Sequence, residues 1–92
     1  MFRYASIKSI DRYIPEMRRL GVSTVARSSR GFLTAYRRAG GKAKNLSHYW
    51  KNRREGFILR HMAQVRKHGE KLINDGRPTR RWLALMAWAY KP

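Results

Sequence analysis

The stretch Thr79–Tyr90, with the sequence TRRWLALMAWAY, decides the fold because it contains the longest uncharged run of the chain, Trp82–Tyr90. Thr79 is a good N-cap for a helix over Arg80–Tyr90, and large apolar side chains cover nearly the whole circumference of that helix. A helix that is apolar all round is buried, either inside its own domain or against a neighbour. The run is too short to cross a membrane, which takes about 20 apolar residues. The sequence therefore predicts a buried last helix and no membrane span.

Apolar residues at helical spacing predict three further helical segments before this one. They run over residues 6–20, from Ser28 or Ser29 to Ala39, and from Asn45 or Ser47 to Gly69. Pro15 either kinks the first segment or starts a second short helix within it. No stretch alternates with the two-residue period of a strand. We expect an all-α fold, a compact single domain of three to five helices over residues 1–92. Residues 1–21 are expected to pack on residues 22–92 or to extend from them.

The charge of the chain is its strongest functional signal. Lys and Arg number 22 against five Asp and Glu, which gives a formal net charge of +17 at pH 7. Hydrophobic residues nevertheless make up 42%, which excludes a disordered basic tail, because such a tail lacks the residues for a core. A folded chain of this charge repels itself unless it binds counter-charge, and phosphate supplies that charge in nucleic acids. The composition therefore favours nucleic acid as the partner.

Few residues suit catalysis or metal binding. The chain has no cysteine, which excludes disulfides and cysteine-ligated zinc. The five carboxylates offer no close pair for acid–base catalysis. His61 and His68 are two helical turns apart, about 10 Å, which is too far for a shared metal ion. Gly40-Gly41-Lys42 lacks the first glycine of a P-loop. We therefore expect a non-enzymatic protein without cofactor or metal.

A first basic cluster, residues 37–45, is a candidate nucleic-acid contact. It consists of a helix end, with Arg37 and Arg38, followed by a loop that carries Lys42 and Lys44. Small residues in the loop let the backbone approach a phosphate, and the lysines can follow the strand. A simpler explanation for the two arginines is that they complement the negative end of the helix dipole.

A second basic cluster, residues 76–81, lies at the start of the last helix. Cations at a helix N-terminus oppose the dipole, so local stability does not explain Arg80 and Arg81. Together with free backbone N–H groups and the hydroxyl of Thr79, they would form a phosphate cradle. The alternative is that the arginines are ion-pair partners of Glu70 and Asp75.

Aromatic residues beside cations are candidates for stacking on bases. Trp50 lies on the apolar arc of its helix, where core packing is the simpler explanation, so Tyr49 is the better candidate. The residues predicted to contact nucleic acid are Arg30, Arg37, Arg38, Lys42, Lys44, Tyr49, Lys51, Arg53, Arg54, Arg77, Thr79, Arg80 and Arg81.

Several short motifs follow one another along the chain. They are RGFLTAYRRAGG at 30–41, Trp50, RHMAQ at 60–64, GRPTRR at 76–81 and AWAY at 87–90. Together they resemble a poorly characterised family of small basic proteins of bacteria, phages and large DNA viruses. The resemblance covers Val25 to Pro92. It implies a setting in viral or phage particles and brings no assigned activity or site residues.

Three classes of function stay open. The leading prediction is a structural protein that neutralises the phosphate backbone of DNA or RNA inside a virion, a ribosome-like particle or a similar assembly, where it also contacts other proteins. The alternative is a basic helical adaptor or minor structural protein of a viral particle, with the Trp82–Tyr90 helix docked on an acidic partner. The third is a membrane-surface peptide, which a helix without a polar face disfavours. We expect an intracellular or virion protein rather than a secreted one, because Met1 argues against a removed targeting peptide.

Overall fold

A computed structural model describes residues 2–92, and in that range the chain forms five helices and one short hairpin. The helices are α1 (Ile7–Asp11), α2 (Ile14–Leu20), α3 (Phe32–Arg38), α4 (His48–His68) and α5 (Arg80–Met86). The strands are β1 (Ile73–Asn74) and β2 (Arg77–Pro78), and a 3₁₀ turn covers Ala43–Asn45. The mainly helical prediction is confirmed, and the hairpin is an addition to it.

The helix ends follow local signals in the sequence. The side chains of Ser6, Ser47 and Thr79 each accept a hydrogen bond from the backbone N–H three residues on, and these bonds cap α1, α4 and α5. Gly21 ends α2 in the left-handed conformation, with φ of 66°. Pro15 lies in the first turn of α2, where its missing N–H costs nothing. Pro15 therefore marks the start of a second short helix and not a kink.

Helix α5 and the residues after it form the centre of the core. The Trp88 ring lies between Phe32 and Phe57, with ring centroids 4.9 and 4.7 Å away and interplanar angles of 21°. The prediction of a buried last helix is confirmed by the burial of Trp82, Leu83, Leu85, Met86, Ala87, Trp88, Ala89 and Tyr90. The helix ends at Met86 and not at Tyr90, because Ala89 takes a positive φ of 58° and turns the chain.

The hairpin follows the predicted turn. Ile73 pairs with Pro78 and Asn74 with Arg77, in antiparallel register. The two residues between the strands, Asp75 and Gly76, have positive φ values of 52° and 76°, as a tight two-residue hairpin turn requires. Strands of two residues are too short to show an alternating pattern, so the sequence contains no strand signal here.

The N-terminal segment is part of the same domain. Ile10 and Met17 are fully buried in the core that also contains Leu83, and α2 packs against α5. Near the chain ends, Tyr4 forms an antiparallel bridge with Tyr90. Residues 2–21 therefore pack on residues 22–92 and do not extend away from them.

Candidate nucleic-acid interface

Arg54 lies in the core, so its predicted place in a surface site is wrong. Its side chain has no solvent exposure. The guanidinium lies over the ring of Tyr4, with its carbon 3.6 Å from the ring centroid. It donates four hydrogen bonds to backbone carbonyls, those of Trp88 (2.7 Å), Phe2 (3.1 Å), Arg3 (2.7 Å) and Ala89 (2.9 Å).

These contacts explain how a charged group is tolerated in the core. The carbonyl oxygens and the Tyr4 ring replace the water that the guanidinium loses. The nearest carboxylate oxygen is Glu55 Oε1, 3.7 Å from Nη1. Burial lowers the pKa of Arg54, yet a guanidinium stays charged in proteins. Arg54 therefore joins α4 to both ends of the chain, a junction that we call the end clasp: Arg54, Tyr4 and the carbonyls of residues 2, 3, 88 and 89.

The second basic cluster is occupied by internal contacts. Thr79 Oγ1 accepts a hydrogen bond from the N–H of Trp82 (3.3 Å) and lies 3.0 Å from the carbonyl oxygen of Leu72, to which it donates. Arg80 Nη1 donates to the carbonyl of Leu20 (2.9 Å), at the negative C-terminal end of α2. The negative C-terminal end of α2 therefore stabilises the charge of Arg80, which explains why a cation is tolerated at the start of α5.

Arg81 is held on two sides. It donates to both carboxylate oxygens of Glu70, at 2.8 and 2.9 Å, and its Nη1 lies 2.7 Å from Nδ1 of His61. A guanidinium only donates, so Nδ1 must accept, and His61 is neutral with its proton on Nε2. Burial, and next the charge of Arg81, lower the pKa of His61, while the bonds from Arg81 lower the pKa of the Glu70 carboxyl.

The predicted phosphate cradle is therefore corrected. The ion pair with Glu70 is the right explanation for Arg81, and Thr79 and Arg80 also have internal partners. Of the arginines in the second cluster, Arg77 on β2 and Arg80 are exposed, and neither forms an ion pair among the described residues. We keep Arg77 and Arg80 as isolated surface cations and withdraw Thr79 and Arg81 from the candidate interface.

The first basic cluster is open to solvent. Arg38, Lys42 and Lys44 are exposed, and none of them lies within ion-pair distance of a carboxylate in residues 2–92. Arg37 pairs with Asp11 of α1, and this bond lowers the pKa of the carboxyl. Three of the four cations of this cluster are thus available to an external anion.

The first turns of α4 continue this basic surface. Tyr49 is 58% exposed, and Arg53 donates a hydrogen bond to its hydroxyl at 3.1 Å. Trp50 is half-buried, so Tyr49 is the more accessible ring, as the sequence predicts. Lys51 is half-buried, and Arg30 is exposed in the turn that precedes α3, at the opposite end of that helix from Arg38.

The structure brings one part of the predicted set together. Arg38, Lys42 and Trp50 line a single groove between the end of α3 and the start of α4. We call this segment the α3–α4 basic region, and its members are Arg37, Arg38, Lys42, Lys44, Tyr49, Trp50, Lys51 and Arg53. The sequence offers Trp50 as a stacking candidate but favours core packing for it, because its place on the apolar arc gives no signal of the groove beside the ring.

Other kinds of site find no support in the described part of the chain. Residues 2–92 hold no group of three or more His, Asp and Glu arranged for a metal ion. No helix among them has the length and apolar character needed to cross a bilayer. Comparison of the chain with family models, characterised proteins and solved structures gives no match. The family resemblance therefore stays a prediction from the motifs.

Proposed function

We propose that the protein is a non-enzymatic nucleic-acid-binding structural protein, which neutralises phosphate within a larger nucleoprotein assembly such as a virion interior or ribosome-like particle. The observation that supports this function is uncompensated charge. Within residues 2–92, four of the 22 Lys and Arg side chains form ion pairs, and these already use four of the five carboxylates. The chain cannot neutralise itself, so a polyanion relieves its self-repulsion.

The α3–α4 basic region is the best-supported place for the contact. No acidic residue occurs between Glu16 and Glu55, and Arg38, Lys42 and Lys44 have no acidic partner in the described residues. Lys and Arg side chains with free ends bind phosphate oxygens directly, and arginine can do so in pairs. In the second cluster, in contrast, Thr79, Arg80 and Arg81 already have partners inside the domain.

The alternative adaptor function depends on an exposed helix that can dock on an acidic partner. The helix over Trp82–Tyr90 was its contact surface, but the domain buries these residues in its own core. Contacts with other proteins of an assembly must then use the exposed surface, which is dominated by cations.

A salt titration tests the proposal. Binding of a labelled duplex DNA is measured by fluorescence anisotropy between about 0.05 and 0.3 M salt, and about six phosphate contacts give a slope of log K against log salt near −5. Unrelated sequences are expected to bind within about tenfold of one another. A slope near zero would contradict the proposal, and binding to anionic vesicles alone would favour the membrane-surface class.

Two matched triple variants test the location. Arg38→Gln, Lys42→Gln and Lys44→Gln together should reduce the slope by about 2 to 3. Arg66→Gln, Lys67→Gln and Lys71→Gln remove the same charge in the last turn of α4 and just after it, at the far end of a helix of 21 residues that is about 30 Å long. If both triple variants weaken binding equally, the cations act as a diffuse charge and the α3–α4 basic region is not the site.

A further inference from the structure

A groove of about 600 Å³ opens between the end of α3 and the start of α4. Its lining comes from the end of α3 and the loop after it, which include Arg38 and Lys42, and from the segment that leads into α4, which includes Asn45, Ser47 and Trp50. Ala39 and Gly40 place no large side chain between Arg38 and Lys42, and the positive φ of Gly40, 71°, turns the backbone there. The groove is therefore open along its length, as a site for a passing chain must be.

The charge at this groove is of one sign. Arg38 and Lys42 line it, both side chains are exposed, and no Asp or Glu belongs to its walls. Neither cation pairs with a carboxylate in the described residues. A rim of this kind attracts anions and holds them by phosphate contacts.

An aromatic surface lies beside the two cations. The inner side of Trp50 packs against Phe32 and Trp88, with ring centroids 6.0 and 6.1 Å away, while Trp50 also lines the groove. The exposed ring of Tyr49 stands almost perpendicular to Trp50, at 78°, with a centroid distance of 5.1 Å. Partly exposed rings next to cations are the surfaces on which single-strand-binding proteins stack bases.

We propose that this groove binds one or two unpaired bases of a single-stranded nucleic acid, packed against Trp50 and Tyr49, with the flanking phosphates on Arg38 and Lys42. The inference rests on the proposed function and narrows its ligand to single strands. In a duplex each base is stacked on both faces, so a duplex reaches only the cations and gains nothing from the rings.

The polar groups of the groove are largely used within the protein. Asn45 Nδ2 donates to the carbonyl of Ala39 (3.1 Å), and Ser47 Oγ accepts from the N–H of Trp50 (3.4 Å). Few groups are then free to read base edges, and stacking supplies most of the base contact. We expect little preference among single-stranded sequences.

The test compares a labelled oligothymidine of about 12 nucleotides with a duplex of the same length, at equal salt. The wild-type protein should bind the single strand about tenfold more tightly. Trp50→Leu, which keeps an apolar side chain against Phe32, should abolish this preference, so that single strand and duplex bind with equal affinity. Ala39→Leu narrows the groove without changing its charge and without replacing Trp50, and it should have the same effect if Trp50→Leu does not fold by circular dichroism.

Photo-crosslinking of the wild-type protein locates the contact without any variant. A single strand that carries 5-bromodeoxyuridine should crosslink to the peptide that contains Tyr49 and Trp50. Crosslinks confined to other peptides would overturn the inference.

The outcomes separate this inference from the proposed function. If the protein binds single strand and duplex with equal, salt-dependent affinity, the inference about the groove is wrong and the proposed function still holds. The absence of salt-dependent binding to either nucleic acid overturns both. Variants that weaken single-strand and duplex binding equally show that the groove supplies charge alone, which also overturns the inference.

Discussion

The end clasp and the α3–α4 basic region use the same side chain in opposite ways. In the end clasp, Arg54 is completely buried and its four hydrogen-bond acceptors are backbone carbonyls. In the α3–α4 basic region, Arg38 is exposed and has no carboxylate partner in the described residues. The two differ in whether the fold surrounds the cation with backbone carbonyls. Those of Phe2 and Trp88 have Arg54 as their donor, and those of Arg3 and Ala89 accept from it in addition to a backbone N–H. The number of Lys and Arg residues therefore indicates an anionic partner only when cations that bind groups within the fold, such as Arg54, are left out of the count.

The largest expected effect breaks the end clasp. Arg54→Met leaves the carbonyls of Phe2 and Trp88 without a donor, each at a cost of about 1 to 3 kcal/mol, while those of Arg3 and Ala89 keep one backbone N–H. With the loss of the two other charge-assisted bonds, a total loss on the order of 5 kcal/mol is expected. A loss of that size approaches the whole stability of a small domain. The control is Arg53→Met, at an exposed position, which should change stability by about 0.5 kcal/mol or less. Urea unfolding followed by circular dichroism measures both, and equal unfolding midpoints would refute the structural role of Arg54.

A second variant weakens the same part of the core without changing charge. Trp88→Ala removes the ring that lies between Phe32 and Phe57, and a loss of about 3 to 5 kcal/mol is expected. Salt-dependent nucleic-acid binding should persist under conditions where the variant is still folded. A folded Trp88→Ala protein with an unchanged melting temperature would show that the stack is peripheral.

Arg81→Gln tests whether Arg81, in the second cluster, stabilises the fold and does not bind nucleic acid. The change removes the two bonds to Glu70 and the bond to His61, so the melting temperature should fall by a few degrees. The salt slope of nucleic-acid binding should stay nearly the same. The reverse result, unchanged melting with weaker binding, would return Arg81 to the interface.

The smallest expected effect is a pH dependence from the same cluster. Burial, and next the charges of Arg81 and Arg60, hold the pKa of His61 below its ordinary value of 6.5, with Glu70 opposing them. The unfolded chain then binds a proton more readily than the folded one, so stability is present above about pH 6.5 and falls as the pH decreases through the lowered pKa. The lowered pKa of Glu70 extends the loss below its ordinary value of 4.5.

His61→Gln isolates the histidine. The wild-type melting temperature should fall between about pH 7.5 and about pH 5.5, and the variant, whose amide oxygen can still accept from Arg81, should show a smaller fall. An equal fall in both proteins would assign the pH dependence to another group.

The sequence predicts the helices well because their ends carry local signals. Ser47 and Gly69 bound α4, and Thr79 caps α5, each at the position that the pattern indicates. The end clasp was missed because it depends on residues that are 34 to 52 positions apart. One local signal was present: Arg54 lies midway between Trp50 and Ile58 on the apolar arc of α4, where a cation is buried or paired.

The candidate site could be predicted only where it depends on local features of the sequence. Exposure of Arg38, Lys42 and Lys44 follows from a helix end and a glycine-containing loop, both of which are local features. The partners of Arg80 and Arg81 come from α2 and from Glu70, beyond the reach of a local pattern. The groove that joins Arg38 to Trp50 likewise exists only after α3 has packed against α4.

The bridge between Tyr4 and Tyr90 has a consequence for synthesis on the ribosome. Chains emerge from the N-terminus, and many domains begin to fold before translation ends. Here the first residues must wait for residues 88–91, since Arg54 cannot bind its carbonyls until both segments have left the exit tunnel. During that wait the nascent chain displays its cations and its unburied apolar helices next to ribosomal RNA, a polyanion. Nascent-chain force profiling should accordingly detect no folding until the end of this segment has cleared the tunnel.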